Sequence, residues 1–553
     1  MLSRLSARLS LSPGQTVLAR ALLVGSVALL IRVLFLLDFT DQPLFDANLA
    51  RGTDMEFLIG WARRIAAGDL LGRGSGPFWW APLFPYSLGA ILAVVGHDNL
   101  VGAAFVQAAF GASTASLLYL LGRRLLDETT GLLAGLMAAI YGTAIFYAGV
   151  LLSTTLETFL AVALLLVVTE ARSRPTALRW LAAGAVAGLA CLARPNFLLG
   201  VAVLWCLLPV LVPRADGRID WVSVRRAAVA FGLGAVLLIA PVTARNWLVG
   251  GRLVLVSAAG PETFRIANSY DSTPMNFVYP KKPRMPLTSA DFWRHQGRKA
   301  VLFWWGFEPP QNVNYYLARE MSSFLRVPWL PFWLAVPMAA LGLWVTRERA
   351  RALAHVHAFL GAYYVSVVVF FIIARWRLPL ILPLLMFTAA GFLALLRWAR
   401  TARWRPLAAG TLAVVVLAAV VHPGPGPFVF AADHGALGYI LANRGNYREA
   451  ASELAVAAAG FPQDGRLQRD LGLLLDRIGQ HGKARRALER AVVLTPDDAA
   501  SHRYLGRLLL GPDGDPGRAR AHLTRALALD PQGPASGQVR ALLEKLDRGG
   551  VAP

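Results

Sequence analysis

The chain has 553 residues, 56% of them hydrophobic and only 16% charged, against roughly 25% charged in an ordinary soluble domain. That leaves too little polar surface to cover a string of water-facing globules, so most of the length needs a bilayer as its solvent. The net charge of +22 would suit nucleic acid, but the arginines stand in short clusters between apolar runs: Arg123-Arg124, Arg172/Arg174, Arg225-Arg226, Arg347/Arg349/Arg351 and Arg397/Arg400/Arg403/Arg405. Cytoplasmic loops look like this under the positive-inside rule, and no nucleic-acid partner is expected. The two cysteines, Cys191 and Cys206, lie inside apolar runs and read as small buried hydrophobes rather than a disulfide or metal pair.

A spanning helix needs about 20 mainly apolar residues. In chain order the qualifying runs are 17–37, 99–122, 129–149, 152–170, 178–193, 195–213, 227–247, 327–346, 352–374, 378–397 and 406–421. The first follows Arg4 and Arg8 with no small-residue cleavage pattern behind it, which predicts an uncleaved signal anchor. The expected fold is all-α, a polytopic bundle of about eleven spans. Placing Arg4/Arg8, Arg123-Arg124, Arg172/Arg174, Arg214 to Arg226, Arg347 to Arg351 and Arg397 to Arg405 inside leaves the turns Ala148 to Leu152 and His422 to Phe428, which carry no Lys or Arg, outside. The alternation holds if Ala81 to Val95, interrupted by Pro82, Pro85 and Gly89, lies at the outer interface instead of crossing. Two long loops then face outward, about 38–98 and 250–326, both rich in Trp, Pro and Arg as the headgroup layer favours.

Beyond about Phe430 hydrophobic residues recur at helical spacing with charges between them. Gly438, Gly472 and Gly506 are 34 residues apart, as are Pro462 and Pro496, and Ala450 and Ala484; the third unit carries one extra residue in its turn, GPDGDPG. Thirty-four is the tetratricopeptide period, and Leu-Gly in the first helix, Ala in the second and a closing Pro fit its pattern. The predicted division is a membrane domain, 1–426, and a water-soluble repeat domain, 430–553. The repeats read equally as a stabilising or dimerising appendage and as a binding site for a protein partner or acceptor.

Chemistry-bearing residues concentrate in the outer loops. Asp54 and Glu56 stand just before a short amphipathic helix, close after the first span. Carboxylates beside hydrocarbon are costly and are functional candidates by default; their bland alternative is to favour a helix N-terminus.

Asp54, a helix ending in Gly68-Asp69, and Pro82-Leu83-Phe84-Pro85-Tyr86 together resemble the start of the lipid-phosphate-sugar-dependent glycosyltransferases of GT-C fold, in the branch containing protein O-mannosyltransferases and the aminoarabinose transferase that modifies lipid A. GLACLARPNFLL, IAPVTARNWLVGGRLVLVS, FWWGFEPPQNVNYYLARE and ARWRLPLILP are similar, in the same order, to stretches of bacterial members. The likeness covers roughly residues 17–400, and animal mannosyltransferases with lumenal tetratricopeptide tails share the domain arrangement. The resemblance implies an inverting enzyme that moves a sugar from a polyprenyl-phosphate donor to an acceptor hydroxyl of a protein, lipid or glycan, with Asp54 as base. It places the protein in a bacterial cytoplasmic membrane with the site and the repeats facing outward. A hydroxyl needs a carboxylate to take its proton as the new C–O bond forms, whereas the lipid phosphate leaves without an acid.

Fixed cations at the outer ends of spans would stabilise that phosphate: Arg194, Arg245, Arg375 and Arg377, whose planar forks match phosphate oxygens. Each could instead snorkel to ordinary headgroups. Asn246 and Asn268 would orient sugar or backbone, or cap helix ends. The family's second outer acid is missing, since its position reads Ser153; Glu157, one turn on and on the same face, is the substitute expected. The lysine that the lipid A enzyme carries before its loop proline is also absent, Ala81 standing there, which leaves the sugar open. Trp304, Glu308 and Asn312 form an aromatic and polar cluster in the second loop suited to an acceptor. His355 and His357, spaced i, i+2, point to different faces, so no metal pair is expected. No cofactor is predicted, and a divalent metal stays open. The competing readings are a transporter or flippase for a lipid-linked glycan, which would need paired broken helices, and a membrane scaffold acting through its repeats.

Overall fold

The computed structural model describes residues 12–49, 53–73, 76–212, 218–275, 277, 279–424, 429–511 and 514–548, so Arg4, Arg8 and Arg214 of the topology argument lie outside it. Among the described residues the regular structure is helical, with isolated β-bridges and no strand. The chain divides into two compact units, 1–426 and 427–553.

The first unit opens with α1 (Pro13–Phe39) and continues into α2 (Asp54–Ala66) and α3 (Leu83–Val95), a helical hairpin in the first loop. Then come α4 (Leu100–Leu125), α5 (Glu128–Ala139), α6 (Gly142–Gly149), α7 (Thr154–Ser173), α8 (Ala177–Ala193), α9 (Phe197–Cys206), α10 (Leu208–Leu211) and α11 (Trp221–Leu248). The second loop holds α12 (Ala259–Ala267), α13 (Ala290–Leu302) and α14 (Tyr315–Met321); α15 (Phe332–Val345), α16 (Ala354–Val368), α17 (Ala374–Arg400) and α18 (Trp404–Val421) complete the bundle. Six helices, α1, α4, α7, α11, α17 and α18, are long and apolar enough to cross a bilayer, and α3, α8, α9, α15 and α16 are shorter apolar helices. This is a multi-pass membrane protein.

Two of the expected spans are interrupted. The run 195–213 breaks at Leu207, ahead of Pro209, which lacks an N–H and clashes with the preceding turn. The run 129–149 breaks between α5 and α6, where Tyr141 bridges Leu330 and the Leu330 N–H donates to Ile140 O (3.0 Å). The carbonyls left at the end of α5 are met by Arg32 of α1, whose guanidinium donates to Ala138 O and Ala139 O, each at 3.4 Å. Arg32 is 1% exposed and has no carboxylate partner among the described residues, so a helix C-terminus supplies its negative pole. Cys191 is buried, but Cys206 is exposed on the apolar α9, contrary to the expectation of burial, and both thiols are free.

Glu157 and Arg172 lie at opposite ends of α7, 15 residues and about 22 Å apart. At the Arg172 end the basic clusters converge: Arg124 pairs with Glu170 at 2.9 Å, Arg172 donates to Arg351 O at 3.1 Å, and Arg349 donates to Leu126 O at 2.8 Å. The carboxylate-bearing loops belong to the other end.

Glycines on both partners set the close crossing of α8 with α11. A Cβ on Gly184 of α8 would fall 1.9 Å from Phe231 O of α11, and one on Gly234 of α11 would fall 2.1 Å from Leu181 O. Without a hydrophobic drive between helices in lipid, such backbone proximity supplies the packing.

The second unit pairs α19 (Ala431–Asn443) with α20 (Tyr447–Gly460), α21 (Gly465–Arg477) with α22 (His481–Leu494), and α23 (Ala499–Leu508) with α24 (Pro516–Leu529), followed by α25 (Ser536–Asp547). The 34-residue glycines are where the two helices of a hairpin meet: a Cβ on Gly438, Gly472 or Gly506 would lie 2.7–2.8 Å from Leu454, Leu488 or Leu523. The first two leucines are 34 apart and the third pair 35, the extra residue of the 511–517 turn (512 and 513 lie outside the described residues).

Gly184→Ala should therefore cost more than the roughly 1–3 kcal/mol of ordinary overpacking, because the obstacle is a backbone carbonyl. Thermal unfolding of the detergent-solubilised protein would show the loss as a lowered midpoint.

Candidate functional site

Thr53 caps α2 by accepting from the Glu56 N–H (3.2 Å), so Asp54 and Glu56 stand in the first turn of the helix, not ahead of it. A carboxylate is favoured there by the unsatisfied N–H groups and the helix dipole. The Asp54 side chain nonetheless points to other elements. Its Oδ2 accepts from the Arg375 guanidinium at the start of α17 and from Asn312 Nδ2 (3.1 Å) in the second loop, while its own N–H donates to Asn312 Oδ1 (3.4 Å). Gln311 Oε1 accepts from Arg375 Nε (3.0 Å) and Nη2 (2.7 Å). The Asp54 side chain is 25% exposed and that of Arg375 only 5%. Both donors use the same oxygen, and Oδ1 has no hydrogen-bond partner among the described residues.

Two further buried pairs stand beside this one. Glu157 Oε2, fully buried, accepts from Arg194 Nε at 2.6 Å, and the Arg194 guanidinium lies 5.0 Å from the Trp376 ring. Glu157 Oε1 has no partner. Glu308 pairs with Arg377 at 2.5 Å and accepts from the Thr143 hydroxyl at 3.0 Å. Arg375 and Arg377 flank Trp376, so one short stretch at the head of α17 anchors all three pairs. Charges this deeply placed are tolerated because each has a partner.

The four arginines expected at a lipid phosphate divide into two kinds. Arg377 spends its fork on Phe303 O, Trp305 O and Phe307 O in addition to Glu308. Arg245 donates to Leu71 O, Gly72 O and Gly76 O, each at 2.8 Å, and lies 3.9 Å from the Phe78 ring. These two arginines hold loops. Arg194 keeps Nη1 and Nη2, and Arg375 keeps Nη1, without a hydrogen-bond partner among the described residues.

Asn246 and Asn268 are likewise occupied with the chain itself. Asn246 accepts from the Phe78 N–H (2.9 Å) and donates to Val254 O and Val256 O. Asn268, fully buried, donates to Phe264 O and Val369 O and accepts from Gln296 (2.6 Å) and Lys299 (2.9 Å). Trp304 packs against Tyr364, with ring centres 5.5 Å apart. His355 bonds Thr169 (2.8 Å) and His357 stacks on Phe387, so the two do face different ways. No group of three His, Cys, Asp or Glu side chains among the described residues is arranged for a metal ion. Sequence reasoning missed Gln311 and Thr143; Gln311 lies inside a quoted string, but its partner is visible only in the fold.

The site therefore joins an oriented carboxylate with one open oxygen to arginine donors not used by the protein, at the end of a membrane helix bundle. That combination suits proton abstraction beside a bound phosphate. Residues 79–244 match the family model described as dolichyl-phosphate-mannose-protein mannosyltransferase, and residues 469–534 match a tetratricopeptide repeat. Within the membrane unit the chain thus carries a segment similar to that glycosyltransferase family, and within the second unit tetratricopeptide repeats. Among solved structures it is similar to the apo oligosaccharyltransferase of Archaeoglobus fulgidus, at 14% identity and a TM-score of 0.45, over 78% of this chain and 59% of that one. It is similar also to the same organism's oligosaccharyltransferase AglB in complex with an inhibitory peptide and a dolichol-phosphate, at 14% identity and a TM-score of 0.43, over 78% and 59%. The chain spans about three-fifths of the length of these structures. No curated protein matches.

Two outcomes follow from the side chains that hold loops. Arg245→Ala removes three charge-assisted bonds to carbonyls, so unfolding should become easier by on the order of 3 kcal/mol, read as a lowered melting midpoint. Burial pushes the Lys299 amine down to about 7. The unfolded chain then binds the extra proton between about pH 7 and the usual lysine range, so stability rises with pH across that window, and the full cost of the buried charge is felt below it. Melting midpoints from pH 7 to 9 should climb in the parent and climb less in Lys299→Gln.

Proposed function

We propose that the chain is an inverting glycosyltransferase that moves a sugar from a polyprenyl-phosphate donor to an acceptor hydroxyl at the outer face of a bacterial cytoplasmic membrane. The observation that carries it is the Asp54 carboxylate, held through Oδ2 by Arg375 and Asn312 while Oδ1 has no hydrogen-bond partner among the described residues. The family match over residues 79–244 supports the same reaction class.

The acceptor oxygen attacks the anomeric carbon opposite the lipid phosphate. The C–O bond to the sugar forms as the anomeric carbon–phosphate oxygen bond breaks, and its electron pair leaves with the polyprenyl phosphate. The hydroxyl proton passes to Asp54 Oδ1. The unused nitrogens of Arg194 and Arg375 receive the charge that grows on the phosphate, a role in which a fixed donor in a water-poor site is worth most. The products are an inverted glycoside and the free lipid phosphate. The acceptor is a protein, lipid or glycan hydroxyl, and the tetratricopeptide unit binds an acceptor or partner protein. The outward orientation rests on the basic clusters at the Arg172 end of α7, which the positive-inside rule assigns to the cytoplasm.

In membranes supplied with a radiolabelled polyprenyl-phosphate hexose, Asp54→Asn should lower glycoside formation at least about 100-fold while the protein still extracts folded, with a melting midpoint lowered because the buried Arg375 charge loses its carboxylate. Arg194→Gln should raise the donor KM. Undiminished transfer by Asp54→Asn would remove the reaction from this site; movement of labelled lipid across the bilayer without a new glycosidic bond would replace it with transport.

A further inference from the structure

We infer that Asn312 is a positioning residue that holds the Asp54 carboxylate in the orientation in which one oxygen is left to receive the proton; the inference rests on the glycosyl-transfer reading above. Asn312 has φ +65°, and among the described residues only Ala402 shares a positive φ without being glycine. Asparagine is one of the few side chains that enter the left-handed region readily. The turn is pinched by a bridge between Gln311 and Val313, so the strained residue is the apex of a tight loop. Its amide addresses Asp54 twice: Nδ2 donates to Asp54 Oδ2 at 3.1 Å, and Oδ1 accepts from the Asp54 N–H at 3.4 Å. Side chain and backbone of the first residue of α2 are thereby held by one amide group from a loop 258 residues away.

Its neighbours secure the other half of the ion pair. Gln311 accepts twice from the Arg375 guanidinium, Pro309 O accepts from the Ala374 N–H at 3.0 Å, and Glu308 takes Arg377. Residues 308–312 thus form a strap that touches both members of the Asp54–Arg375 pair. With Arg375 alone on Oδ2 the carboxylate could turn about its Cβ–Cγ bond and exchange oxygens. The second donor, fixed by the tight turn, holds the carboxylate plane and leaves Oδ1 as the oxygen without a hydrogen-bond partner among the described residues. Asn312 touches no reacting atom in this scheme. It acts through Asp54.

The test compares Asn312→Gly, which accepts the positive φ but loses both bonds, with Asn312→Asp, which keeps an acceptor for the Asp54 N–H but sets an acceptor against Oδ2. Each is made in the full chain, alone and with Asp54→Asn, and assayed in membranes with a polyprenyl-phosphate hexose. Both single variants should lose roughly 10- to 100-fold in kcat, as a misplacement of about 1 Å costs, with the donor KM within about two-fold and, for Asn312→Gly, an unchanged melting midpoint. Neither should lower the residual rate of Asp54→Asn further. Full turnover by Asn312→Gly, or an equal additional loss in the Asp54→Asn background, overturns the positioning role while leaving Asp54 as base. A fully active Asp54→Asn single variant brings down both.

Discussion

A charge that cannot reach water must meet its opposite, and in this protein that requirement decides where the loops lie. Asp54, Glu157 and Glu308 come from the first loop, a bundle helix and the second loop, and each is paired with a guanidinium that is nearly or wholly buried. Leaving any of these unpaired would cost several kcal/mol. The bundle therefore cannot close without drawing both loops onto the head of α17, where Arg375 and Arg377 flank Trp376. The chemistry proposed for the site uses part of what that closure leaves over: Asp54 Oδ1 and the unused nitrogens of Arg194 and Arg375.

Arginine is used in two ways here, and the difference lies in how many of its five N–H groups the chain itself consumes. Arg245 and Arg377 are frameworks, each gathering several carbonyls that turn away from regular helix. Loops at a membrane face carry backbone groups that neither helix nor lipid satisfies, and a planar five-donor head is suited to collecting them. Arg194 meets Glu157, and Arg375 meets Asp54 and Gln311, and each keeps N–H groups without a hydrogen-bond partner among the described residues.

The helices were legible because hydrophobic run length reports a bilayer directly, and the repeats because Gly438, Gly472 and Gly506 are contacts that no larger residue could make. The interruptions of two spans were only half visible. Pro209 marks one of them, whereas the break before Tyr141 depends on Leu330 and Arg32, both distant in sequence. Asp54 could be singled out as an acid beside hydrocarbon, but its partner lies 321 residues away and no local pattern pairs them. An arginine that spends its N–H groups on carbonyls and one that keeps some of them look identical in a sequence, which is why Arg245 was grouped with Arg375. Cys206 misled for a related reason, since an apolar run does not say which of its faces meets lipid.

Arg32 has a consequence for how the chain is made. The first helix carries a charge that reaches one carbonyl of its own helix, Ala28 O (3.1 Å), while its other partners, Ala138 O and Ala139 O, are 106 and 107 residues further on. At roughly 5–20 residues per second the ribosome needs on the order of ten seconds to deliver them. Until then the guanidinium sits on a lone segment in hydrocarbon, an expensive state. That cost favours an opening helix that enters the bilayer in company with α5 over one that inserts alone.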